Sequence, residues 1–350
     1  MKIVMDEKIP YLRDVLTEMG HRVVALPGSG IKCDDIIDAE ALFVRTRTRC
    51  NAALLDGSGV RFIGTATIGY DHIDADFCSK KGISWTNAPG CNADAVLQYV
   101  QSSIYSWARD YNVELRGLAI GIVGVGQIGR RVARWAHNVG MRVLLNDPPR
   151  EACGEEGFSS LGEIASSCDI ITFHPTLSRE GLFPSYHLAD EAFFSSLSHC
   201  RLLLNVSRGP VVDNKALYEA LECGKLPCAV LDVWEDEPEI DLSLLGKLYI
   251  ATPHIAGYSA EGKMNASRMM VEAFAQFSNH TGALPQMSLP SPVPAHVFAA
   301  DEAAALLDIY SPLEDTARLK AAPSLFEDLR NNYKLRREPS SYDIILKTAL

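Results

Sequence analysis

Short apolar runs alternate with amphipathic stretches from the first residue of the chain onward. Five runs rich in β-branched residues predict strands, and they read KIVM, RVVAL, ALFVR, RFIGTA and ISWTN. The segments between them include PYLRDVLTEMG and DADFCSKKG, whose spacing of apolar positions is typical of helices. Strands that alternate with helices in this way form βαβ units, so the pattern predicts a parallel sheet.

The same alternation begins again after a long helical stretch. That stretch reads ADAVLQYVQSSIYSWARDY, and the strand pattern after it starts with LAIGIVGVGQIG. A second helical stretch, SAEGKMNASRMMVEAFAQFSNH, is expected to return the chain to the first sheet, and the proline-rich LPQMSLPSPVP is expected to be a linker. We therefore expect an α/β protein with two Rossmann-like, doubly wound parallel-sheet lobes and a small C-terminal domain. The expected bounds are 1–92 with 258–285 for the first lobe, 93–257 for the second lobe and 286–350 for the C-terminal domain.

Composition narrows the class of protein. A chain of 350 residues is long enough for two or three domains, and its net charge of −11 argues against binding to nucleic acids or anionic membranes. No apolar run approaches the roughly 20 residues of a membrane helix, and we expect no secretory signal. The nine cysteines are scattered and form no CxxC pair. We therefore expect neither disulfides nor a metal site, and we expect a cytoplasmic protein.

A glycine-rich loop opens the second lobe. It follows an apolar strand, precedes an amphipathic helix and comprises Gly124, Gly126, Gln127, Ile128 and Gly129. This GxGxxG spacing lets backbone amides approach a pyrophosphate at the N-terminus of the helix. The next strand ends at Asp147, whose carboxylate is suited to accept hydrogen bonds from a ribose and to repel the extra phosphate of NADP. The second lobe is therefore predicted to bind NAD, although the nearby Arg150 weakens the argument against NADP.

Three polar residues follow predicted strands of the second lobe. Arg208 comes after RLLLN, Glu237 lies in the loop after AVLD, and His254 comes after LYIA. Ligands bind at the carboxyl ends of strands in open parallel sheets, so these side chains are expected to converge there. The histidine would take a proton from a substrate hydroxyl, the glutamate would orient the histidine, and the arginine would bind a substrate carboxylate. The alternative for His254 is a structural histidine whose ring is bonded to a backbone carbonyl.

These motifs carry a family resemblance. Over about its first 285 residues the chain resembles the NAD-dependent D-2-hydroxyacid dehydrogenases, through GVGQIG with Asp147, NVSRGPVVDNKAL, LDVWEDEP and TPHIAGYS. In that family the matching arginine, glutamate and histidine are catalytic. The resemblance therefore implies these roles for Arg208, Glu237 and His254, and a substrate-binding first lobe beside the NAD lobe.

Further stretches are similar to the family members that oxidise a phosphorylated four-carbon 2-hydroxy acid on the route to pyridoxal phosphate. These stretches read GTATIGYDHID, APGCNADAVLQYV, NDPPR, TFHP, DVWEDEPE and HIAGYSAEGK, and the C-terminal tail is similar too. The resemblance implies that Thr46, Thr67 and Tyr258 contact substrate. It also implies that the NAD site includes Pro175, Val206, Ser207, Arg208, Asp232 and Gly257. One departure is Pro175-Thr176, where the family usually has Thr-Pro.

The stretch VRTRTRC is a candidate phosphate site. Arg45, Arg47 and Arg49 alternate along it, so an extended chain would point all three to the same side. Arginine forks bind phosphate well, and Arg45 is the predicted ligand. The alternative is an exposed, solubilising loop.

The predicted reaction is NAD-linked oxidation of a 2-hydroxy acid to its 2-oxo acid. Two alternatives stay open, a related dehydrogenase for another acid such as 3-phosphoglycerate and a non-catalytic NAD-sensing protein. The tail of about 65 residues is marginal as an independent core, yet it has apolar clusters. It is predicted to form a homodimer, as the resemblance implies, and docking on its own chain is the alternative. Arg336 or Arg337 in KLRRE would then supplement the charge that binds substrate phosphate.

Overall fold

The computed structural model describes residues 1–346, which form helices and strands in regular alternation. The strands are β1 (Lys2–Asp6), β2 (Arg22–Leu26), β3 (Ala41–Val44), β4 (Phe62–Thr65), β5 (Ser84–Thr86), β6 (Ala119–Val123), β7 (Arg142–Asn146), β8 (Ile170–Phe173), β9 (Leu202–Asn205), β10 (Cys228–Leu231), β11 (Ile250–Ala251), β12 (His296–Ala299) and β13 (Asp343–Leu346). The α-helices are α1 (Leu12–Glu18), α2 (Cys33–Ile36), α3 (Ala52–Leu55), α4 (Ala75–Lys81), α5 (Ala93–Asp110), α6 (Gly129–Val139), α7 (Pro148–Ala152), α8 (Leu161–Ser167), α9 (Glu191–Ser196), α10 (Asn214–Glu222), α11 (Leu242–Lys247), α12 (Ala260–Phe277), α13 (Glu302–Ile309), α14 (Pro312–Ala321) and α15 (Phe326–Asn331).

Residues 1–92 and 259–291 form one compact unit around a parallel sheet. Its strand order is β2-β1-β3-β4-β5, and all five strands are the ones that the apolar runs predict. Each face of the sheet is buried by its own cluster of apolar side chains. On one face, the ring of Phe274 from α12 lies 5.6 Å from that of Phe43 and 5.5 Å from that of Phe62. This packing fixes the long helix of residues 260–277 to its sheet.

Residues 93–258 form a second unit together with the C-terminal segment from residue 292. The strands of its main sheet are parallel in the order β11-β10-β9-β8-β6-β7. The chain runs outward from β6 to β7 and then returns to β8 on the other side of β6. The strand order therefore reverses between β6 and β8, which is where open α/β sheets bind ligands. The prediction of doubly wound parallel sheets is confirmed in both units.

Aspartates at three helix starts hold the loops that leave this sheet. Asp190, Asp213 and Asp241 cap α9, α10 and α11, and their carboxylates accept one, two and two hydrogen bonds from amides of the first turn. Such caps satisfy backbone donors that a helix leaves unpaired at its N-terminus. The cap at Asp213 matters for the site, because α10 begins directly after the loop that carries Arg208.

The C-terminal segment packs on the second unit. Leu319 of α14 and Phe326 of α15 are buried in the apolar cluster on one face of the main sheet. The Thr316 hydroxyl accepts a hydrogen bond from the Ala251 amide at 3.1 Å. β12 and β13 pair in parallel as a separate two-stranded sheet. The last four residues of the predicted domain 286–350 lie outside the described residues, and its function in dimerisation stays a prediction.

Some features relevant to function are absent from residues 1–346. No helix there is long and apolar enough to cross a membrane. Over the same range no three His, Cys, Asp or Glu side chains are placed to hold a metal ion together. None of the nine cysteines, all of which lie in this range, forms a disulfide.

Candidate active site

The glycine loop between β6 and α6 has the geometry of a dinucleotide cradle. Gly124 has a φ of 87°, and a Cβ there would lie 2.5 Å from the Pro175 nitrogen. A Cβ on Gly129 would lie 2.1 Å from the Gly124 carbonyl oxygen. A Cβ on Gly126, in contrast, would meet nothing within 4 Å. The first and third glycines are thus required by close backbone packing, whereas the second leaves open space for a ligand at the start of the helix.

The carboxylate of Asp147 lies at the end of β7, next to this loop. It accepts hydrogen bonds from the Val125 amide at 2.8 Å and from the Arg150 amide at 3.2 Å. The Arg150 guanidinium pairs with Glu155 and donates to the Val125 carbonyl at 2.6 Å. These bonds hold a carboxylate at the position where a dinucleotide presents its ribose hydroxyls. The residues present therefore fit NAD.

The rest of the loop and the turn after β8 complete this edge of the sheet. Gln127 accepts hydrogen bonds from Arg131, and Ile128 packs against the core at the start of α6. After β8 the His174 ring is buried, and burial lowers its pKa to about 3, so the ring is neutral at physiological pH. Its Nε2 lies 3.0 Å from the Thr172 hydroxyl. Pro175 and Thr176, which stand where the family usually has Thr-Pro, directly follow this buried, neutral ring.

The loop that carries Arg208 is held by the side chain of Asn205 at the end of β9. The Asn205 amide donates to the Arg208 carbonyl at 2.9 Å, and its oxygen accepts from the amide and the hydroxyl of Ser207. A Cβ on Gly209 would lie only 1.7 Å from the Trp234 carbonyl oxygen. The Arg208 loop therefore lies directly on the loop that follows β10. Val206, beside it, is buried, and the Arg208 side chain is half-buried.

His254 and Glu237 form a hydrogen-bonded pair. The Nδ1 atom of His254 lies 2.8 Å from Oε2 of Glu237, and Oε1 of the same carboxylate accepts from the Trp234 amide at 2.9 Å. Burial alone would raise the pKa of the Glu237 carboxyl. The bond and charge of His254 outweigh burial, with help from the Trp234 amide and Arg330, so this pKa is lower than usual. The carboxylate is therefore ionised at physiological pH and fixes which ring nitrogen of His254 is protonated.

The backbone of His254 is held in an uncommon conformation. Its φ of 58° lies in the left-handed region, which is unfavourable for most side chains. Asp232, which follows β10, stabilises the loop around it. The Asp232 carboxylate accepts from the Ile255 amide at 2.7 Å, from the Ala256 amide at 2.9 Å and from the Thr252 hydroxyl at 2.6 Å. Burial raises the pKa of Asp232, and these donors oppose that effect.

The Asp232 carboxylate thus accepts hydrogen bonds from the protein itself, whereas the sequence predicted only that it belongs to the NAD site. Whether it also lines the cofactor stays a prediction. Gly257 and Tyr258 follow in the same loop, and the Tyr258 amide donates to the Ile255 carbonyl at 2.9 Å.

Arg336 from the C-terminal segment supports the loop that follows His254. Its side chain is buried, and all five of its N–H donors have acceptors. They are the Gln98 side chain and the carbonyl oxygens of Ala95, Ile255, Ala256 and Tyr258. Arg336 therefore has no donor left for a substrate phosphate, contrary to the expectation from its sequence. Arg337 lies 3.3 Å from the Ser341 hydroxyl.

The substrate residues expected in the first unit follow β3 and β4. The Thr48 amide donates to the Arg45 carbonyl at 3.2 Å, so the stretch folds into a turn and the extended arrangement of three arginines is wrong. The Arg45 guanidinium pairs with the buried carboxylate of Asp6 at 2.9 Å. Thr46 is exposed in this turn, and the Thr67 hydroxyl donates to the Gly69 carbonyl at 2.8 Å. Both threonines therefore lie just beyond strand ends, which is where substrate contacts are expected.

Comparison with known proteins identifies the class. Residues 92–256 match the model of the D-isomer specific 2-hydroxyacid dehydrogenase, NAD binding domain. A D-lactate dehydrogenase from Aquifex aeolicus, solved with NAD and lactic acid, is similar with a TM-score of 0.64 and 27% identity over 80% of this chain and 96% of that chain. The NAD-bound 3-phosphoglycerate dehydrogenase of Entamoeba histolytica has the same fold, with a TM-score of 0.66 and 24% identity over 81% of this chain and 96% of that chain.

Full-length relatives narrow the family further. The erythronate-4-phosphate dehydrogenase of Bacteroides thetaiotaomicron is 49% identical over 99% of both chains. That of Escherichia coli O157:H7 is 42% identical over 100% of this chain and 95% of the relative. The chain belongs to the erythronate-4-phosphate dehydrogenase family, within the D-isomer specific 2-hydroxyacid dehydrogenases. The predicted family, the NAD cofactor and the class of NAD-dependent oxidoreductase are confirmed.

Proposed function

We propose that this protein oxidises 4-phospho-D-erythronate with NAD to 3-hydroxy-2-oxo-4-phosphooxybutanoate, a step in the biosynthesis of pyridoxine and pyridoxal 5'-phosphate. The relatives at 42 to 49% identity over nearly the whole chain support the substrate. The observation that supports the proposed chemistry is the hydrogen bond between His254 and Glu237, whose Nδ1 and Oε2 atoms lie 2.8 Å apart. Both residues follow strands of the sheet whose glycine loop fits NAD, so acid–base and cofactor groups lie along the same sheet edge.

His254 is the proposed acid–base catalyst. Its Nδ1–H donates to the ionised Glu237, which leaves the lone pair of Nε2 to accept the proton of the substrate hydroxyl. The negative charge of Glu237 then stabilises the imidazolium that forms. Bound NAD would accept the hydride from the same substrate carbon. Arg208 is proposed to bind the substrate carboxylate through its planar fork.

Other residues of the proposed site have supporting roles. Asp147 would hold the ribose, and the glycine loop would hold the pyrophosphate. Thr46, Thr67 and Tyr258 are proposed to contact substrate, and residues 1–92 with 258–285 are proposed as the substrate-binding lobe. Arg45 is a weaker candidate for the phosphate, because Asp6 already compensates its charge.

The first prediction is that turnover depends on the substrate phosphate. With NAD present, kcat/KM for 4-phospho-D-erythronate should exceed that for D-erythronate by about 100-fold or more. Two charge-assisted hydrogen bonds to phosphate are expected to stabilise the bound substrate by about 3 kcal/mol. The measurement is NADH absorbance over a series of concentrations of each acid.

Turnover of other 2-hydroxy acids in the same assay distinguishes the proposed function from the two alternatives. Better turnover of 3-phosphoglycerate than of 4-phospho-D-erythronate would identify a related dehydrogenase for another substrate. Tight NAD binding in calorimetry with no turnover of any 2-hydroxy acid would support the non-catalytic NAD-sensing protein. Equal efficiency on phosphorylated and unphosphorylated erythronate would contradict a phosphate site.

A homodimer is proposed through the two-stranded sheet of the C-terminal segment. Phe298 of β12 and Ile345 of β13 are paired in register and therefore point to the same face. Their exposed fractions are 64% and 43%, although both are large apolar residues. Val297, adjacent to Phe298, points to the other face and is buried. Exposed apolar patches of this kind are common at subunit interfaces, and two-fold homodimers are the most frequent oligomers.

The second prediction tests this patch with Phe298→Asp. A carboxylate at the centre of an apolar interface would be desolvated without a partner, so the variant should be monomeric in light scattering. Deletion of the whole segment is a poor test, because Leu319 and Phe326 belong to the core of the second unit. Leu242→Asp is the matched control, since Leu242 is 61% exposed on α11. A Phe298→Asp protein that keeps the mass of the wild type would place any interface elsewhere.

A cytoplasmic location is proposed from the thiols. None of the nine cysteines forms a disulfide within residues 1–346, and five of them are buried. Free thiols persist in reducing compartments, whereas exported proteins usually form disulfides. Cell fractionation with an antibody against the protein would test this location.

A further inference from the structure

Helix α15 of the C-terminal segment brings an arginine to the carboxylate of Glu237. Phe326, the first residue of the helix, is buried in the apolar core and fixes the start of the helix. One turn later, the Nη1 atom of Arg330 lies 3.6 Å from Oε2 of Glu237. The same oxygen is the partner of His254 Nδ1 at 2.8 Å. A cation and the imidazole therefore share one carboxylate oxygen.

We propose that Arg330 is a positioning residue that acts on His254 through Glu237, an inference that rests on the proposed function. It holds the carboxylate toward the histidine and offsets part of the carboxylate charge. The distance of 3.6 Å is too long for a hydrogen bond, so the interaction is electrostatic. Both partners are mostly buried, with 24% of the arginine side chain and 17% of the glutamate side chain exposed, and solvent therefore screens the interaction little.

The physical argument concerns the protonation of the imidazole. A carboxylate beside a histidine stabilises the imidazolium, and an imidazolium cannot take a proton from substrate. A guanidinium at the same oxygen opposes that stabilisation, because it weakens the field of the carboxylate at the ring. Replacement of Arg330 by a neutral residue is thus expected to strengthen the field of the carboxylate at the ring and to favour the imidazolium over the neutral base.

Other charged groups around the pair determine the size of the effect. Asp232 interacts electrostatically with His254 from the end of β10. Glu327, one turn before Arg330 on α15, lies 3.7 Å from the guanidinium. The Tyr258 side chain also interacts with Arg330 by a hydrogen bond. Glu327 and Tyr258 thus hold the arginine beside the pair.

The test compares the pH dependence of kcat/KM in wild type, Arg330→Gln and Arg330→Lys, with NAD and 4-phospho-D-erythronate. In Arg330→Gln the acid limb should move to higher pH by roughly 0.5 to 1 unit, less than the 1–3 units typical of charges in direct contact. Arg330→Lys keeps the charge and should restore most of the wild-type profile. Glu237→Gln should move the limb to lower pH, because the imidazolium then loses its partner.

Arg109→Gln is the control for the loss of an arginine from this unit. Arg109 is 56% exposed and pairs with the neighbouring Asp110, so its profile should match the wild type. An acid limb that stays in place in Arg330→Gln would overturn the proposal. So would a large rise in KM for the phosphorylated acid alone with an unchanged profile, since that result would make Arg330 a phosphate ligand.

A second readout does not depend on turnover. The pH titration of the His254 ring resonances in NMR should have its midpoint at higher pH in Arg330→Gln than in wild type, and Arg330→Lys should reverse the change. If the wild-type protein failed to oxidise 4-phospho-D-erythronate, the proposed function would fail while this titration still tested Arg330. An identical midpoint in wild type and Arg330→Gln would exclude the coupling through Glu237, whatever the substrate.

Discussion

Replacement of His254 by asparagine is expected to lower kcat for oxidation by about 10²- to 10⁴-fold, the usual contribution of a general base. The lone pair of the amide nitrogen is delocalised into the carbonyl group, so asparagine has no basic nitrogen to accept the hydroxyl proton. The affinity for NAD should stay near that of wild type, because the glycine loop and Asp147 do not use the histidine ring. Stopped-flow or steady-state NADH absorbance gives kcat, and calorimetry gives the NAD affinity.

Asparagine is preferred to alanine at this position because the His254 backbone has a φ of 58°. Asparagine tolerates the left-handed region better than most residues, so the loop should keep its conformation. His199→Asn is the matched control, since His199 is exposed between α9 and β9. Near-normal turnover by the His254→Asn protein would show that the ring is structural and that another group moves the proton.

The fold and the core of the site could be predicted because they depend on local patterns. Apolar runs predicted all five strands of the first sheet and most strands of the second, and the long helical stretch predicted α5 (Ala93–Asp110). Once the sheet is parallel, residues after its strands must share one edge, which brings His254 within 2.8 Å of Glu237. The spacing of the glycines likewise predicted the cofactor loop from a local pattern.

The parts that could not be predicted depend on contacts between distant residues. Arg336 bonds to the carbonyl of Ala95, 241 positions earlier in the chain, and no local pattern in KLRRE indicates this. Its charge suggested a phosphate ligand, whereas burial makes it a support for the loop after His254. The prediction for Arg45 assumed that the chain is extended there. Instead, a turn and the carboxylate of Asp6 determine its position.

The loops that carry Arg208 and Glu237 approach each other closely through their backbones at Gly209. Gly209→Ala tests this packing and should have the second large effect. A Cβ would lie 1.7 Å from the Trp234 carbonyl oxygen and 2.6 Å from the Glu235 nitrogen, where backbone rather than a flexible side chain must move. Overpacking of this kind typically costs about 1–3 kcal/mol or more. We expect Tm to fall by several degrees and kcat/KM to fall as the Arg208 and Glu237 loops separate.

Gly246→Ala is the control, because a Cβ on this residue of α11 would meet nothing within 4 Å. Alanine is the better helix former, so this variant should be as stable as wild type or slightly more stable. Differential scanning calorimetry measures both variants, and the NADH assay at temperatures below the transition shows whether folded Gly209→Ala protein has lost activity. A Gly209→Ala protein with wild-type Tm and kcat/KM would mean that the two loops move apart without cost. The positions of Arg208 and Glu237 would then have to be fixed by the Asn205 and Trp234 hydrogen bonds alone.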